Sequence, residues 1–216
     1  MSGEKYFPGL SVNEYLEEVA SGRPVPGGGS VAAVASALGA ALMEMVGNFT
    51  VGKEKYAGVS EKVKKISSET NSLRSELVKL AQADTEVYGA LSSAFKMPTA
   101  TEEEKKVRTE AVQMALKSAC GVPLRIAEIC VKLSALCPEL AQNGNPNLIT
   151  DVGCAVNLIP AAFRSALLNV EINLKNINDA DFVRETGKKI AAWKKEIDES
   201  RRIADNLVNE KFRGAK

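Results

Sequence analysis

Val63, Ile66, Thr70, Leu73, Leu77, Leu80, Asp84, Val87 and Leu91 succeed one another at intervals of three and four residues, the stripe that one side of an α-helix presents. The pattern predicts a single long helix over about 59–95. A second helix opens at Thr101, where Glu104 completes a capping box, and is expected to end near Gly121. Pro123 suits the first turn of a third, which should stop around Cys137 and Pro138 or a few residues beyond. The turn formers from Gln142 to Asn147 then lead to Thr150 and Asp151, which can cap a helix reaching about Lys175, with a kink at Pro160. After Asn176 to Asp179, a last amphipathic helix places Phe182, Thr186, Ile190, Trp193, Ile197, Ala204 and Leu207 on its inner side.

Towards the N-terminus, Ser11 and Glu14 form another capping box, so 11–22 reads as a helix. The run from Val31 to Val46 is apolar nearly all round and rich in Ala and Gly, which predicts a central helix packed closely against its neighbours, with one face free to meet a second subunit. No segment shows the alternation of a strand, and there is no internal repeat. These elements predict an all-α, up-and-down bundle of about six or seven helices with short connections, including a long central helix. A single domain over 1–216 is expected, although the length alone is also compatible with two small ones.

Composition narrows the function classes. Hydrophobic residues make up 45% and charged residues 25%, the balance of an ordinary globular protein, and a net charge of +1 gives no reason to expect a nucleic-acid partner. Cys120, Cys130, Cys137 and Cys154 form no C-x-x-C pair and the chain contains no histidine, so the usual zinc patterns are missing and no metal site is expected. The cysteines read as reduced, mostly buried thiols. A Glu-containing N-terminus without an apolar core is not a secretory signal. The Val31–Val46 run is shorter than the roughly 20 residues that span a bilayer, and it carries Glu44, so no membrane association is expected. A cytoplasmic protein follows as the expectation. Without histidine, proton transfer must use carboxylates, lysine, tyrosine, cysteine or the substrate itself.

Candidate chemistry begins with Pro24-Val25-Pro26-Gly27-Gly28-Gly29-Ser30, immediately before the small-residue helix. Three glycines allow close backbone approach or φ > 0, and Ser30 is a good N-cap, so the segment reads either as an anion-binding loop at a helix start or as a tight turn between helices. It is not a nucleotide P-loop, which needs a Lys-Ser/Thr pair and a preceding strand, and a dinucleotide fingerprint fails for the same missing strand.

Asp84 stands in the apolar seam where Leu or Val is expected. A carboxylate there is either a structural group bonded to a neighbouring helix or a functional acid of raised pKa. Asn169 and Asn173 lie one turn apart among Leu167, Leu168, Val170, Ile172 and Leu174. They read as a solvated stripe or as inward amides with helix carbonyls or a heterocycle for partners. Asp151 starts the same helix, while Lys53 and Lys96 follow helix C-termini, where a cation also suits the helix dipole.

Taken in order, these pieces resemble the cyclodeaminase domain of the formiminotransferase-cyclodeaminase family and its stand-alone relatives that act on folates. The resemblance rests on 24–30, on Asp84 before Ala94-Phe95-Lys96-Met97-Pro98, on Val122-Pro123-Leu124, on Gly144-Asn145-Pro146-Asn147 with Thr150-Asp151-Val152-Gly153, and on Ala166-Leu167-Leu168-Asn169-Val170 with Ile172-Asn173-Leu174-Lys175. It covers nearly the whole chain. Departures are Thr150 where Ser is frequent and Pro146 at a variable position.

The resemblance implies conversion of 5-formimidoyltetrahydrofolate to 5,10-methenyltetrahydrofolate and ammonia, or the methenyltetrahydrofolate cyclohydrolase reaction. A non-catalytic folate-binding module is the alternative of another class. It also implies no cofactor beyond the tetrahydrofolate, a homodimer, and a formiminotransferase as a candidate partner. Asp84 and Asp151 would then be the catalytic carboxylates. Gly27, Gly28, Gly29, Ser30, Asn145, Asn147, Asn169 and Asn173 would bind substrate, with Lys53 and Lys96 on its glutamate tail.

Overall fold

The computed structural model describes residues 6–214. Among them are six α-helices and no strand: α1 (Val12–Ala20), α2 (Gly28–Asn48), α3 (Ser60–Phe95), α4 (Glu102–Asn143), α5 (Ile149–Leu174) and α6 (Ala180–Gly214). Short 3-10 turns precede α1, α3 and α5. Helices α2 to α5 follow one another up and down, each packed on its successor, and α6 closes the bundle against α4 and α5. The predicted all-α bundle with a long central helix is observed.

Small residues bring α2 to the centre. It packs on α3, α4 and α5, and Ala32, Ala33, Ser36, Gly39, Ala40 and Met43 are buried there. A methyl added at Gly39 would stand 2.8 Å from Cγ1 of Ile159 on α5, so the helix axes could not lie as close with any larger residue. Glu44, the acid within this apolar helix, is matched by Arg74 and Asn71 of α3. Cys120, Cys130 and Cys137 are buried thiols as expected, whereas Cys154 is exposed.

Four local expectations are corrected. First, the helices predicted on either side of Gly121 are one continuous helix, α4, with Pro123 and Pro138 in its interior. Pro123 is buried in the bundle, and tertiary packing outweighs the local penalty.

Second, Thr150 and Asp151 do not cap α5. Pro146 starts a 3-10 turn, capped by Asn145, that runs straight into a helix already formed at Ile149. Third, α2 extends beyond Val31–Val46 to 21 residues, so it and the stretch Pro146–Leu174 are long and apolar enough to cross a membrane. Half of each is buried inside the bundle.

The fourth correction positions the site. The buried line of α3 runs Val63, Ile66, Thr70, Leu73, Leu77, Ala81, Thr85, leaving Leu80, Asp84, Val87 and Leu91 half-buried. A 3.6-residue helix drifts against a strict three-four pattern, so beyond Leu77 the sequence stripe turns off the core and faces a cleft.

Candidate active site

The cleft, of about 180 Å³, lies where the N-terminus of α2, the last third of α3, the middle of α4 and the end of α5 meet. Its lining includes Gly27, Gly28, Asp84, Tyr88, Asn169 and Asn173.

Asp84 is held by the start of α2. The N-cap of that helix is Gly27, not Ser30, and it has no side chain to satisfy the first N–H groups. Asp84 does so from α3: its Oδ2 accepts the Ser30 N–H at 2.9 Å. Oδ1 accepts no hydrogen bond among the described residues. Oδ2 is therefore fixed by the scaffold, while Oδ1 carries no such bond and lies against Gly29. Burial raises the pKa of the carboxyl, and the Ser30 N–H only partly opposes this.

The glycines act by absence of a side chain rather than by unusual backbone. None of the three has a positive φ; Gly52 is the one described glycine that does. A methyl on Gly29 would stand 2.5 Å from Cγ of Asp84, and one on Gly28 would meet Nδ2 of Asn169 at 3.3 Å. Gly29 is required for Asp84 to reach the helix end. The buried Ser30 hydroxyl pairs with Tyr15 of α1 at 2.9 Å, and burial keeps that phenol protonated well above neutrality.

Asn169 and Asn173 face the cleft half-buried, neither wholly solvated nor wholly enclosed. Nδ2 of Asn169 donates to the Ser165 carbonyl at 3.0 Å, and that of Asn173 to the carbonyls of Asn169 at 2.8 Å and Ala119 at 3.2 Å. Both amides thus expend hydrogens on helix backbone, and their oxygens keep their acceptor capacity. With the Asp84 carboxylate they form an acceptor-rich wall suited to a donor-rich or cationic ligand. Among the described residues no lysine or arginine lines it. A more voluminous cleft, about 390 Å³ beside Trp193, contains Arg125 and Glu128, but these pair with each other and with Glu76 and Lys132.

The other candidates lie elsewhere in the chain. Lys53 follows the C-terminal end of α2, about 30 Å from its glycine start at 1.5 Å per residue. Asn145 is at that same far end, donating its N–H to Thr50 Oγ1 and accepting from the Tyr56 hydroxyl at 2.8 Å, and Asn147 donates its N–H to Asn145. Asp151 is in the first turn of α5, about 27 Å along the helix from Asn169. Lys96 is exposed at the end of α3. Within one chain the structure brings together Gly27–Ser30, Asp84, Asn169 and Asn173, and not Asp151, Lys53, Lys96, Asn145 or Asn147.

Sequence reasoning missed Tyr15, Tyr88 and Ala119. Val87 and Leu91, in the apolar stripe of the sequence, line the cleft, Leu91 while also packing against the core. Only Ala119 carried a signal, the proline four residues after it.

The fold and cleft together define an all-α protein with an enzyme-like pocket, in which one carboxyl is the sole acid, among the described residues, beside two amides and helix-end glycines. Comparison with known proteins gives the family. The formiminotransferase-cyclodeaminase family model matches residues 11–192, and the chain belongs to that family.

A methenyltetrahydrofolate cyclohydrolase from Methylorubrum extorquens is 39% identical over 180 residues, covering 83% of this chain and 86% of that protein. The rat formimidoyltransferase-cyclodeaminase is 35% identical over 182 residues, covering 84% of this chain but only 34% of the relative. The crystal structure of a formiminotetrahydrofolate cyclodeaminase from Thermotoga maritima superposes with a TM-score of 0.84 at 32% identity, over 93% of this chain and 96% of that one.

Proposed function

We propose that the protein is a folate one-carbon enzyme, a 5-formimidoyltetrahydrofolate cyclodeaminase that forms 5,10-methenyltetrahydrofolate and releases ammonia. The observation that carries this reading is Asp84, a single carboxyl of raised pKa with one oxygen anchored and one free. The reaction needs no second acid. N10 of the folate attacks the amidinium carbon, forming the new C–N bond. The proton that N10 then loses is the one that the departing nitrogen needs to leave as ammonia. One carboxylate that takes the proton and returns it balances the step, and afterwards faces the methenyl cation, which its charge stabilises. Asn169 and Asn173 accept from the donor edge of the pterin, and Gly27 to Ser30 form the wall against which it lies.

A second reading is favoured by the Methylorubrum relative, a cyclohydrolase that matches nearly end to end. In it, Asp84 takes a proton from water as the water adds to the methenyl carbon and returns it to a ring nitrogen as that C–N bond breaks, the added hydroxyl losing its proton to solvent to leave a formyl group. Supplying each folate separately distinguishes the two. Methenyltetrahydrofolate with equimolar ammonia accumulates from the formimidoyl substrate if the first is right, whereas consumption of methenyltetrahydrofolate supplied directly supports the second. Saturable folate binding with neither turnover refutes both and leaves a binding module.

The reading includes a homodimer acting in the cytoplasm with no cofactor beyond the folate. Helix α2 leaves Val31, Leu38 and Phe49 exposed, and neighbouring α5 leaves Leu168 and Ile172 exposed, an apolar face that supports a second copy. That copy is also the route by which Asp151, Lys53, Asn145 and Asn147 would reach a cleft, and Lys96 remains the candidate for the glutamate tail. The chain spans about a third of the animal relatives, whose names join a transferase to the cyclodeaminase. This supports a separate formiminotransferase as the partner that supplies substrate.

A further inference from the structure

Val122-Pro123-Leu124 is the motif of the sequence that the cleft's chemistry does not use directly. Proline has no N–H, so within a helix the carbonyl four residues before it loses its donor. For Pro123, buried in the interior of α4, that carbonyl belongs to Ala119, which lines the cleft. It accepts instead from Nδ2 of Asn173 on α5, 3.2 Å away. The other hydrogen of this amide goes to the Asn169 carbonyl at 2.8 Å. An amide nitrogen carries two hydrogens. With both engaged, the Asn173 amide cannot turn over without breaking a bond, and its Oδ1 is left as the acceptor of a residue that lines the cleft.

We propose that Pro123 is a positioning residue for substrate: by withholding an N–H it leaves the Ala119 carbonyl to Asn173, and so fixes Asn173 as an acceptor for the donor edge of the ligand's heterocycle. Pro123 itself touches no ligand. A functional reason also accounts for a proline in a helix interior, where it is the least favourable residue. The inference rests on the folate reading for the ligand used to test it, and on geometry for everything else.

The test is Pro123→Ala, which supplies the missing N–H and sets the backbone in competition with Asn173 for the Ala119 carbonyl. The amide then contributes less to holding substrate in ground state and transition state alike, so KM for the folate that is turned over should rise about tenfold with kcat within about threefold. Asn173→Ala should raise KM at least as much, and Pro123→Ala should add nothing in that background, because the two act through one contact. Pro138→Ala, in the same helix but away from the cleft, should leave KM unchanged.

A readout independent of turnover is hydrogen exchange of the Asn173 side-chain NH2, identified by its absence from the Asn173→Ala spectrum. It should be slow in the parent and faster in Pro123→Ala. Unchanged KM and exchange in Pro123→Ala, additive effects in the double variant, or a Pro123→Ala chain that fails to fold would each overturn the inference. A parent that turns over neither folate refutes the folate reading instead, with amide exchange still deciding the role of Pro123.

Discussion

Gly29→Ala isolates the geometry of the site from the stability of the fold. The added methyl carbon would stand 2.5 Å from Cγ of Asp84 and 2.7 Å from its Oδ2, and would overlap Oδ1. Non-bonded carbons rest at about 3.5–4.0 Å, so the carboxyl must retreat by about 1 Å. Gly29 is in the first turn of α2, and the atoms in the way are the end of a side chain on another helix, so Asp84 gives way and the backbone stays.

Displacement of a reacting group by about 1 Å costs on the order of 100-fold in rate, which is about 2.7 kcal/mol of transition-state stabilisation. Folding is affected less. The lost bond to the Ser30 N–H is worth about 1.5–3 kcal/mol as a charged hydrogen bond, and alanine recovers up to about 1 kcal/mol over glycine in a helix. A net loss of about 0.5–2 kcal/mol lowers Tm by roughly 1–8 °C in a chain of this size.

The assay is kcat/KM from methenyltetrahydrofolate absorbance beside a thermal melt, with two neighbours as internal comparison. A methyl on Gly28 meets Nδ2 of Asn169 at 3.3 Å and one on Gly27 lies 3.5 Å from the Pro24 carbonyl, so the losses should rank Gly29, then Gly28, then Gly27. A Gly29→Ala enzyme within threefold of the parent, or a ranking in which Gly27 is worst, would refute the claim that these glycines exist to admit Asp84 and Asn169.

Four further outcomes are expected, from three variants. Asp84→Asn should lose at least about 100-fold in turnover, the size of a missing acid–base group, and should lose the acidic limb of the pH profile, which in the parent lies above the usual carboxylate range near 4. The same variant should melt higher than the parent at pH 7–8, with the difference closing towards pH 4. The folded pKa is raised, so the parent's contribution is whole below the unfolded value and is lost as pH rises through the folded one. Tyr15→Phe removes the hydroxyl that pairs with Ser30, and should cost about 0.5–1.5 kcal/mol by denaturant titration and a several-fold loss of kcat/KM. Leu38→Glu on the exposed face of α2 should convert a dimer to monomer by sedimentation without changing the far-ultraviolet dichroism, and a parent that sediments as monomer would remove the homodimer from the proposal.

How much of this was legible beforehand depended on the kind of signal. Capping boxes are local, and Ser11 with Glu14 and Thr101 with Glu104 form as written. Asp84 was legible as a polar intruder in an apolar stripe, but its half-burial was not, because the stripe itself drifts off the core after Leu77. The break expected at Gly121 and Pro123 was misleading, since helix propensity is a weak term beside the packing of a long interior helix. Tyr15 had no signal at all: nothing in a short amphipathic helix says that its phenol reaches Ser30.

The sequence alone determined the helical class, the order of the elements and the set of polar residues available for chemistry. Those follow from local preference and periodicity, which a chain carries residue by residue. Only the tertiary structure decided which of those residues meet. The packing of α2 against α3 and α5 put the glycine-rich turn beside Asp84 and Asn169 while carrying Lys53, Asn145 and Asp151 to the other end of the bundle. Helices are rigid rods of fixed rise, so two motifs on one helix are held apart by its length, and two motifs distant in sequence meet wherever small residues let their helices pack.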